Sequence, residues 1–283
     1  MRDAASNGHG PAMRARELWD AGKPAYGTVC AIPSPFVAEL LVSAGFDWLC
    51  IDCQHGLITD RDMVSMLQAV GSTATTFVRV AWNKPELIMR ALDAGADGVI
   101  VPMVNSAAEA GAAAGACRYP PAGYRSWGPT RAALKVRDFT PESANKRVMC
   151  AVMIETLEGA EHSDEILSVE GVDAVWVGPW DLSLSASGGL EAPGETALDV
   201  QLIKSVLESS HKNGIIPGIS VGTPEQAQYW RDAGFTMMAA ASDFRMLQGA
   251  ASKLLDTARQ TLGYENGAMG QGHMRGTPTP SGG

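Results

Sequence analysis

Eight short apolar runs, rich in β-branched residues and bounded by Gly, Asp or Pro, recur along this chain and limit what it can fold into. The runs occupy residues 25–32, 48–53, 76–80, 98–103, 148–154, 174–177, 215–220 and 237–241. Between them lie segments in which apolar residues recur at helical spacing, at residues 35–44, 60–71, 85–94, 107–117, 197–213 and 224–233. Eight alternating strand and helix units predict an α/β fold, the (β/α)8 or TIM barrel.

A recurrent Ala-Gly-Phe/Ala pattern marks where several of these helices end. It occurs at residues 44–46, 94–96 and 233–235, and an Asp follows it at residues 47 and 97. A Gly there can adopt the left-handed conformation that caps a helix before the next strand. We interpret the pattern as a helix-ending signal and not as part of a catalytic site.

The length of the chain fits one domain. A chain of 283 residues, 46% of them hydrophobic, can bury a large core, and a single α/β barrel fills this length. We therefore expect a barrel domain at residues 15–263, preceded by a flexible arm at residues 1–14. Residues 264–283 are rich in Gly, Pro, Thr and Ser, which predicts a disordered tail.

Charge and cysteine usage restrict the partners and the compartment. The chain has 31 acidic and 22 basic residues and no basic patch, which argues against nucleic acid or an anionic membrane as partner. No apolar run reaches the length of a membrane span, and the first residues lack the order of a signal peptide, so a cytoplasmic location is expected. The five cysteines lie mostly in apolar runs, which suits buried free thiols better than disulfides.

Two carboxylates stand at the carboxyl ends of consecutive strand-like runs, where a barrel collects its catalytic groups. Glu155 directly follows the run at 148–154, and Asp181 comes shortly after the run at 174–177. With no Cys or His nearby, two such carboxylates would share a hard, oxygen-loving divalent ion such as Mg²⁺ or Mn²⁺. The alternative is that these acids cap neighbouring loops or pair with Arg.

Arg79 lies just inside the end of the third run, and burying a guanidinium without an anionic partner is costly. The anion would be a substrate oxygen, which needs a fixed positive charge, or else a barrel carboxylate in a structural salt bridge. Asp52 is two residues after Cys50 and shares its face of the strand. It would orient the site or bond a metal-bound water, or form a rim salt bridge with Arg79.

His55 follows the second run directly and is the one histidine of five placed at a strand's carboxyl end. A neutral imidazole there could take the proton from a substrate hydroxyl, directly or through water. The alternative is a loop histidine that caps the next helix.

Seven motifs occur in one order along the chain: residues 46–56 (FDWLCIDCQHG), 78–83 (VRVAWN), 91–96 (ALDAGA), 101–104 (VPMV), 118–121 (RYPP), 154–156 (IET) and 178–183 (GPWDLS). Together they resemble the HpcH/HpaI family of metal-dependent, pyruvate-type class II aldolases, which includes 4-hydroxy-2-oxoheptanedioate aldolases. The resemblance spans roughly residues 15 to 260. It implies a barrel of the phosphoenolpyruvate/pyruvate type.

The resemblance also implies a divalent cofactor ion (Mg²⁺, Mn²⁺ or Co²⁺) that chelates the carboxylate and keto oxygen of pyruvate or its enolate. By motif, Glu155 and Asp181 would be the metal ligands. Arg79 would hold the keto or enolate oxygen, and His55 would serve the proton transfers, with Asp52 beside it.

By the same resemblance, the turn at residues 178–183 would receive the pyruvate carboxylate. Backbone N–H groups around Trp180 and Asp181 would bind it, in a turn opened by Gly178 and Pro179. A Schiff base is not expected, because Lys84, Lys135 and Lys204 do not stand at strand ends where burial would activate an amine.

Asp93 matches a family Asp that lies near the catalytic His, yet it precedes its strand and should lie far from the metal of its own barrel. The family position and the position in the chain agree if Asp93 reaches the site of a neighbouring subunit. The resemblance implies such neighbours, because it implies dimers of swapped terminal helices assembled into hexamers. The long segment at residues 118–147 is expected to be an interface element or a lid. Arg125 and Arg131 within it could then read the distal end of a substrate.

The chain departs from the family pattern at two positions near the ligands. Met153 replaces a Gln common in the family, and a thioether cannot donate a hydrogen bond. Trp180 stands where the family commonly has a small residue. With Trp82 and the aromatic residues at 124–129, it indicates a more aromatic acceptor pocket, or else surface and interface roles for these side chains.

These observations predict a carbon–carbon lyase that reversibly cleaves 4-hydroxy-2-oxo acids to pyruvate and an aldehyde through a metal-bound enolate, with a small 2-oxo acid as substrate. The alternative keeps the enolate but makes it by decarboxylating oxaloacetate and condenses it with another electrophile, as macrophomate synthase-like or citrate synthase-like relatives do. A minor alternative is a barrel without catalysis that serves assembly or ligand sensing.

Overall fold

The computed structural model describes residues 14–188 and 197–263 of the chain. Eight parallel strands form a closed barrel in sequence order, which confirms the predicted (β/α)8 fold. Every strand end lies within two residues of its predicted position. The strands are β1 Ala25–Cys30, β2 Trp48–Asp52, β3 Thr75–Arg79, β4 Gly98–Val101, β5 Met149–Ile154, β6 Ala174–Val177, β7 Ile216–Ser220 and β8 Met237–Ala239.

The helices around the barrel include all six that the sequence predicts, and others that it does not. They are α1 Arg14–Asp20, α2 Pro35–Ala44, α3 Asp60–Val70, α4 Pro85–Asp93, α5 Ala107–Cys117, α6 Ala132–Lys135, α7 Pro141–Arg147, α8 Leu157–Glu161, α9 Ser163–Leu167, α10 Pro179–Ala186, α11 Ala197–Asn213, α12 Pro224–Ala233 and α13 Asp243–Leu262. Gly45 and Gly234 have φ values of 104° and 123°, as predicted for the residues that end α2 and α12. Residues 1–13 of the predicted arm and the whole predicted tail lie outside the described residues.

Side chains alternate along each strand between the inside of the barrel and the layer under the helices. On β2, Trp48 and Cys50 pack inside the barrel, whereas Leu49 and Ile51 pack against the helices. Aromatic edge-to-face contacts fill the interior, with Trp48 5.9 Å from Phe77 and 5.6 Å from Trp176 between ring centroids. The barrel is therefore a packed core and not a pore.

Helix α1 closes the amino-terminal end of the barrel. Its Ala15 and Trp19 belong to the interior cluster, and the Trp19 indole donates a hydrogen bond to the carbonyl of Thr236 at 3.1 Å. Because this end is plugged, the carboxyl end is the open face for chemistry.

Three aspartates clamp neighbouring strands at the amino-terminal end. Asp47, Asp97 and Asp173 directly precede β2, β4 and β6. Each carboxylate accepts the backbone N–H of a residue at the start of the preceding strand, at 3.0, 2.9 and 2.7 Å respectively. In the same order, the donors are Tyr26, Thr76 and Cys150. The same clamp therefore recurs at every second strand over β1 to β6.

The segment at residues 118–147 lies at this same end. Arg118 pairs with Asp173 at 2.9 Å, and Lys135 pairs with Asp97 at 2.7 Å. Both partners precede strands, so the segment packs under its own barrel and is not a lid over its own carboxyl end. The other expectation, an interface element, stays a prediction.

All five cysteines are free, as predicted, and four of them are buried. Cys50 packs inside the barrel, whereas Cys53 packs toward the helices. Within the described residues, no helix is long and apolar enough to cross a membrane.

Candidate active site

The inward-facing series of three strands ends in charged residues at the carboxyl end of the barrel. Asp52 follows Cys50 on β2, Arg79 follows Phe77 on β3, and Glu155 follows Met153 at the end of β5. The period of two that places Cys50, Phe77 and Met153 inside the barrel also brings these charges toward its axis. The fold thus gathers polar groups where the hydrophobic interior stops.

Arg79 and Asp52 form a two-pronged ion pair. Arg79 Nε donates to Asp52 Oδ1 at 2.9 Å, and Nη2 donates to Oδ2 at 2.6 Å. Burial opposes the charged form of Arg79, but the hydrogen bonds and charge of Asp52 outweigh it, so the pKa of the guanidinium is raised. Of the two arrangements left open by the sequence for Asp52, the rim salt bridge is therefore present.

The third nitrogen of this guanidinium faces Met153. Arg79 Nη1 lies 3.9 Å from Met153 Sδ, a weak acceptor. Since a thioether satisfies this donor poorly, Nη1 remains available to a stronger acceptor such as a substrate oxygen. Met153, which replaces a Gln common in the family, therefore leaves one Arg79 N–H without a strong acceptor among the residues that the structure describes.

Glu155 is 2% exposed, and its surroundings shift the pKa of its carboxyl group in two opposite directions. Burial and the neighbouring Asp181 raise the pKa of Glu155 to about 7, although the Met103 N–H and the charge of Arg79 act in the other direction. Met103 N donates to Glu155 Oε1 at 2.8 Å.

Asp181 belongs to the first turn of α10, and the helix start positions it. Gly178 precedes the helix, Pro179 opens it, and Trp180 follows with 47% of its surface exposed. A Cβ on Gly178 would lie 3.0 Å from Glu155 Oε2, so this position admits no larger side chain without displacement of the carboxylate. The predicted turn therefore does lie beside Glu155.

His55 follows β2 and is exposed at the same end of the barrel. Its backbone N–H donates to Asp52 Oδ1 at 3.2 Å, next to that of Gln54 at 3.0 Å. Within the part of the chain that the structure describes, the imidazole itself makes no hydrogen bond or ion pair. Asp52 thus links the loop of His55 to Arg79, and the ring stays open to a ligand.

Asp93 lies at the opposite end of the barrel from these groups. Arg125 Nη2 donates to Asp93 Oδ1 at 2.6 Å, within one chain. Burial raises the pKa of Asp93, and the hydrogen bond and charge of Arg125 oppose that rise. Arg131 donates to the carbonyls of Ala94 and Leu67, at 2.7 and 3.1 Å, near the ends of α4 and α3. Within one chain, none of these three side chains joins the other site residues.

The tryptophans discussed in the sequence analysis also lie at opposite ends of the barrel. Trp82 follows β3, as Trp180 follows β6, and each is about half exposed at the carboxyl end. Trp127 packs on Tyr119 and Phe139, with ring centroids 5.2 and 6.0 Å apart, in the segment under the barrel. Trp127 therefore does not line an acceptor pocket of its own barrel.

Met103 is a residue of this candidate site that sequence reasoning missed. It follows β4 with a φ of 56°, the left-handed region that few non-glycine residues adopt, and in this conformation its N–H bonds Glu155. Nothing in its side chain indicates this role. Its place just beyond a strand's carboxyl end was the available signal.

The donor set fits a divalent cation. No group of three or more His, Cys, Asp or Glu side chains suited to a metal occurs in residues 14–188 and 197–263, so protein ligands alone would be few. Glu155 and Asp181 are nevertheless two adjacent carboxylates, one of them buried, and a shared cation would offset both the desolvation and the mutual repulsion. Mg²⁺ is typically held by one or two carboxylates, with waters and substrate completing its shell.

The closed barrel and the charged groups at its carboxyl end define a (β/α)8 barrel enzyme. The chain belongs to the HpcH/HpaI aldolase/citrate lyase family, whose model matches residues 30–250.

Individual relatives agree with this assignment. The chain is 38% identical over 247 residues to a hydroxypyruvate/pyruvate aldolase of Rhizorhabdus wittichii, covering 87% of this chain and 98% of the relative. It is 37% identical over 240 residues to a 4-hydroxy-2-oxo-heptane-1,7-dioate aldolase of Escherichia coli, covering 83% and 90%. Among solved structures, the citrate synthase SbnG superposes with a TM-score of 0.80 at 26% identity, covering 89% of this chain and 100% of that one.

Proposed function

We propose that this protein is a divalent-metal-dependent lyase that reversibly cleaves 4-hydroxy-2-oxo acids to pyruvate and an aldehyde. The observation that carries the proposal is the buried Glu155 beside Asp181, at the same barrel end as the Arg79–Asp52 pair and His55. Relatives named as pyruvate and 4-hydroxy-2-oxo acid aldolases support it.

Glu155 and Asp181 would hold the ion, which when bound supplies a Lewis acid for the 2-oxo group of the substrate. Backbone N–H groups of Trp180 and Asp181, in the first turn of α10, point toward this end and suit the substrate carboxylate. These interactions fix the 2-oxo acid half of the substrate and leave its 4-hydroxyl toward the rim.

Arg79 and His55 carry the remaining steps. His55 takes the proton of the 4-hydroxyl, the bond between C3 and C4 breaks, and an aldehyde leaves. The electron pair of that bond forms the enolate of pyruvate, whose oxygen accepts a hydrogen bond from Arg79 Nη1. His55 then gives its proton back, directly or through water, and protonation at C3 yields pyruvate. Asp52 holds the Arg79 fork in place through its bonds at 2.6 and 2.9 Å.

A lysine-based Schiff base has less support. Lys84 and Lys204 are exposed or lie on outer helices, and Lys135 is half-buried only at the amino-terminal end, where it pairs with Asp97 at 2.7 Å. An amine activated for carbonyl attack needs burial without a counter-charge at the reacting end.

The test is pyruvate release, coupled to lactate dehydrogenase, from a panel of 4-hydroxy-2-oxo acids and oxaloacetate. Chelated protein should be inactive and should recover with Mg²⁺, Mn²⁺ or Co²⁺. Glu155→Gln should not recover, whereas Glu158→Gln, an exposed carboxylate three residues away, should behave as the parent protein. Release that is independent of added metal would contradict the proposal.

A second candidate keeps the same site but makes the enolate from oxaloacetate and condenses it with another electrophile. The 26% identity to a citrate synthase over the whole of that chain supports it, as does the half-exposed Trp180 beside Asp181, an aromatic surface on which an electrophile could stack. Pyruvate release from oxaloacetate, with none from the hydroxy-oxo acids, would select this candidate.

The protein is further proposed to be a homo-oligomer, with a hexamer as the expected state. Five large apolar side chains on α13 are exposed, and Asp243 is the one buried residue of the helix. Such a face is typical of a surface that another subunit covers. The exposed residues are Phe244, Leu247, Leu254, Leu255 and Leu262.

Asp93 would complete the site of a neighbouring subunit in this assembly. Its carboxylate already has a partner in Arg125, which would present it as a fixed pair. Mixed oligomers of His55→Ala and Asp93→Asn chains should regain activity, because some sites would then contain both wild-type residues. Mixing without any regained activity would count against a shared site.

A cytoplasmic location is also part of the proposal. The five free cysteines, four of them buried, suit a reducing compartment, where thiols persist without forming disulfides.

A further inference from the structure

A second cavity, of about 50 Å³, lies at the amino-terminal end of the barrel. Its walls come from Leu92 and residues 95–97 before β4, from the segment at 118–147, and from Val148 just before β5. Glu155 and Asp181 are at the other end of the strands, so within one chain the cavity is separate from their site. Apolar side chains such as Leu92 and Phe139 form much of the lining.

The charged groups in the described lining are predominantly positive. Arg125, Lys135 and Arg147 contribute cations, and Asp97 is the one acidic residue among them. The Asp97 carboxylate is already engaged: Oδ1 accepts from Lys135 at 2.7 Å, and Oδ2 accepts from the backbone and hydroxyl of Thr76, both at 2.9 Å. Arg125 is likewise paired, with Asp93 at 2.6 Å, so the excess positive charge of the lining rests on Arg147.

Two of these cations have unused donors. The Arg125 side chain is 3% exposed, and its Nε is buried without a hydrogen-bond partner, although Nη2 pairs with Asp93. Arg147 makes no side-chain hydrogen bond or ion pair with any residue that the structure describes. A buried N–H left without an acceptor is costly and rare in folded proteins. An acceptor in the cavity would remove that cost.

We propose that this cavity binds a small oxyanion, either free inorganic phosphate or the carboxylate of a small organic acid. Guanidinium groups present paired N–H donors that match two oxygens of one anion, and the ammonium of Lys135 adds a third positive charge. A cavity needs on the order of 10–15 Å³ to hold one water, so the volume suits an ion of a few heavy atoms.

The anion would add a further link between parts of the chain that ion pairs and backbone hydrogen bonds already join. Arg147 ends α7 directly before β5, Arg125 belongs to the segment under the barrel, and Lys135 reaches to the loop before β4. An anion shared by the three side chains ties this segment to the barrel. Because it binds the folded state alone, it stabilises the protein in proportion to the logarithm of its concentration.

The test compares three proteins: the parent, Arg147→Gln, and Arg137→Gln as a matched control. Arg137 is an exposed arginine of the same segment, so its loss changes net charge equally without touching the cavity. Thermal unfolding midpoints are measured against sodium phosphate, and separately against sodium acetate, with ionic strength held constant by sodium chloride.

We expect one of the two anions to raise the midpoint of the parent and of Arg137→Gln, and the anion that does so identifies the source. In Arg147→Gln, its apparent Kd should rise at least about tenfold, since a charge-assisted pair of hydrogen bonds is lost. No response of the parent to either anion, or an equal response in Arg147→Gln, would overturn the proposal. A higher KM of Arg147→Gln for a hydroxy-oxo acid would place the cavity in a substrate site and would also overturn it.

Discussion

Glu155 has the least favourable electrostatic environment among the site residues. It is buried beside another carboxylate, with one backbone N–H and the charge of Arg79 as partial compensation. Either a proton or a cation can relieve this repulsion. At neutral pH the two therefore compete for the same group, which makes the metal-free protein sensitive to pH.

The stability of the chelated protein should fall as pH rises. The pKa of Glu155 is raised from 4.5 to about 7, so its contribution is fully present below pH 4.5 and is lost as pH rises through about 7. The loss is on the order of 3 kcal/mol, from 1.36 kcal/mol per pKa unit. Urea unfolding at pH values from 5 to 8 measures it. Glu155→Gln should lack this component and Glu158→Gln should keep it; the same pH slope in all three proteins would refute the assignment to Glu155.

His55→Ala separates the two chemistries that the site supports. Aldol cleavage needs a base for the 4-hydroxyl, so kcat should fall by roughly 10² to 10⁴, the usual worth of a general base. Decarboxylation of oxaloacetate removes no such proton and should lose far less. Steady-state pyruvate release with both substrates measures the difference. His162→Ala, at a histidine outside the site, is the control, and an equal loss in both reactions would argue against His55 as the base.

Sequence reasoning predicted these residues well where a simple periodicity applied. The period of two placed Asp52 on the face of Cys50, and the structure shows Asp52 bonded to Arg79, one of the two possibilities left open. The role of Met103 could not be predicted, because it depends on a backbone angle and an N–H, which every residue type but proline has. Contacts made by the main chain leave little trace in side-chain identity.

The turn between β6 and α10 connects two parts of the site. It presents the first turn of α10 with Asp181, while Gly178 lets the chain pass close to Glu155. The φ of Gly178 is −100°, which any residue can adopt, so its requirement is for space and not for conformational freedom. The geometry of this turn is therefore sensitive to the volume of the side chain at position 178.

Gly178→Ala should disrupt metal binding and activity together. The new Cβ would lie 3.0 Å from Glu155 Cβ and Oε2 and 3.3 Å from Met153 Cε, so the carboxylate must move. Overpacking of this kind costs about 1 to 3 kcal/mol of stability. Calorimetric titration with Mn²⁺ and urea unfolding measure the two effects.

Gly249→Ala provides the matched control for that substitution. Gly249 lies within α13, and a Cβ there meets nothing within 4 Å. The change should leave activity unaltered and add roughly 0.5 to 1 kcal/mol, because alanine is the better helix former. Equal activity in Gly178→Ala and Gly249→Ala would show that the close approach at Gly178 is unimportant.

Among the elements, the strands were predicted better than helix α13. Buried strands of a parallel barrel read as apolar runs bounded by turn residues, which a sequence displays directly. A terminal helix was implied by the family resemblance, but periodicity did not locate α13, since its apolar residues remain exposed in one chain and its interior contains Gly249 and several polar residues. The position of the segment at 118–147 depends on ion pairs with residues distant in sequence, and no local pattern encodes them.

At the scale of the whole molecule, the proposed assembly depends on the surface of α13. Its exposed leucines include Leu247 and Leu254, seven residues apart and so on one face of the helix, at 64% and 72% exposure. A polar helix would be expected there if the chain acted alone. The apolar face of α13 is the observation on which the proposed assembly rests.

Replacing both leucines by glutamate should dissociate the oligomer, because charged groups would then have to be buried in the interface. Sedimentation velocity should show a smaller species for Leu247→Glu/Leu254→Glu. Ser252→Glu, a charge added at another exposed position of the same helix, should keep the mass of the parent. An unchanged mass in the double variant, or a parent protein that sediments as a monomer, would contradict the proposed assembly.

The clamps made by Asp47, Asp97 and Asp173 divide most of the barrel into two-strand modules. Each module keeps its own alignment, because the carboxylate and its N–H partner belong to neighbouring strands joined by one helix or, between β5 and β6, by two short helices. A circularly permuted chain opened between modules, at residues 71–74, retains every clamp within a continuous stretch of sequence. One opened at residues 94–96 places Asp97 and Thr76 at opposite ends of the chain, so that the alignment of β3 with β4 would depend on the rest of the barrel having closed first.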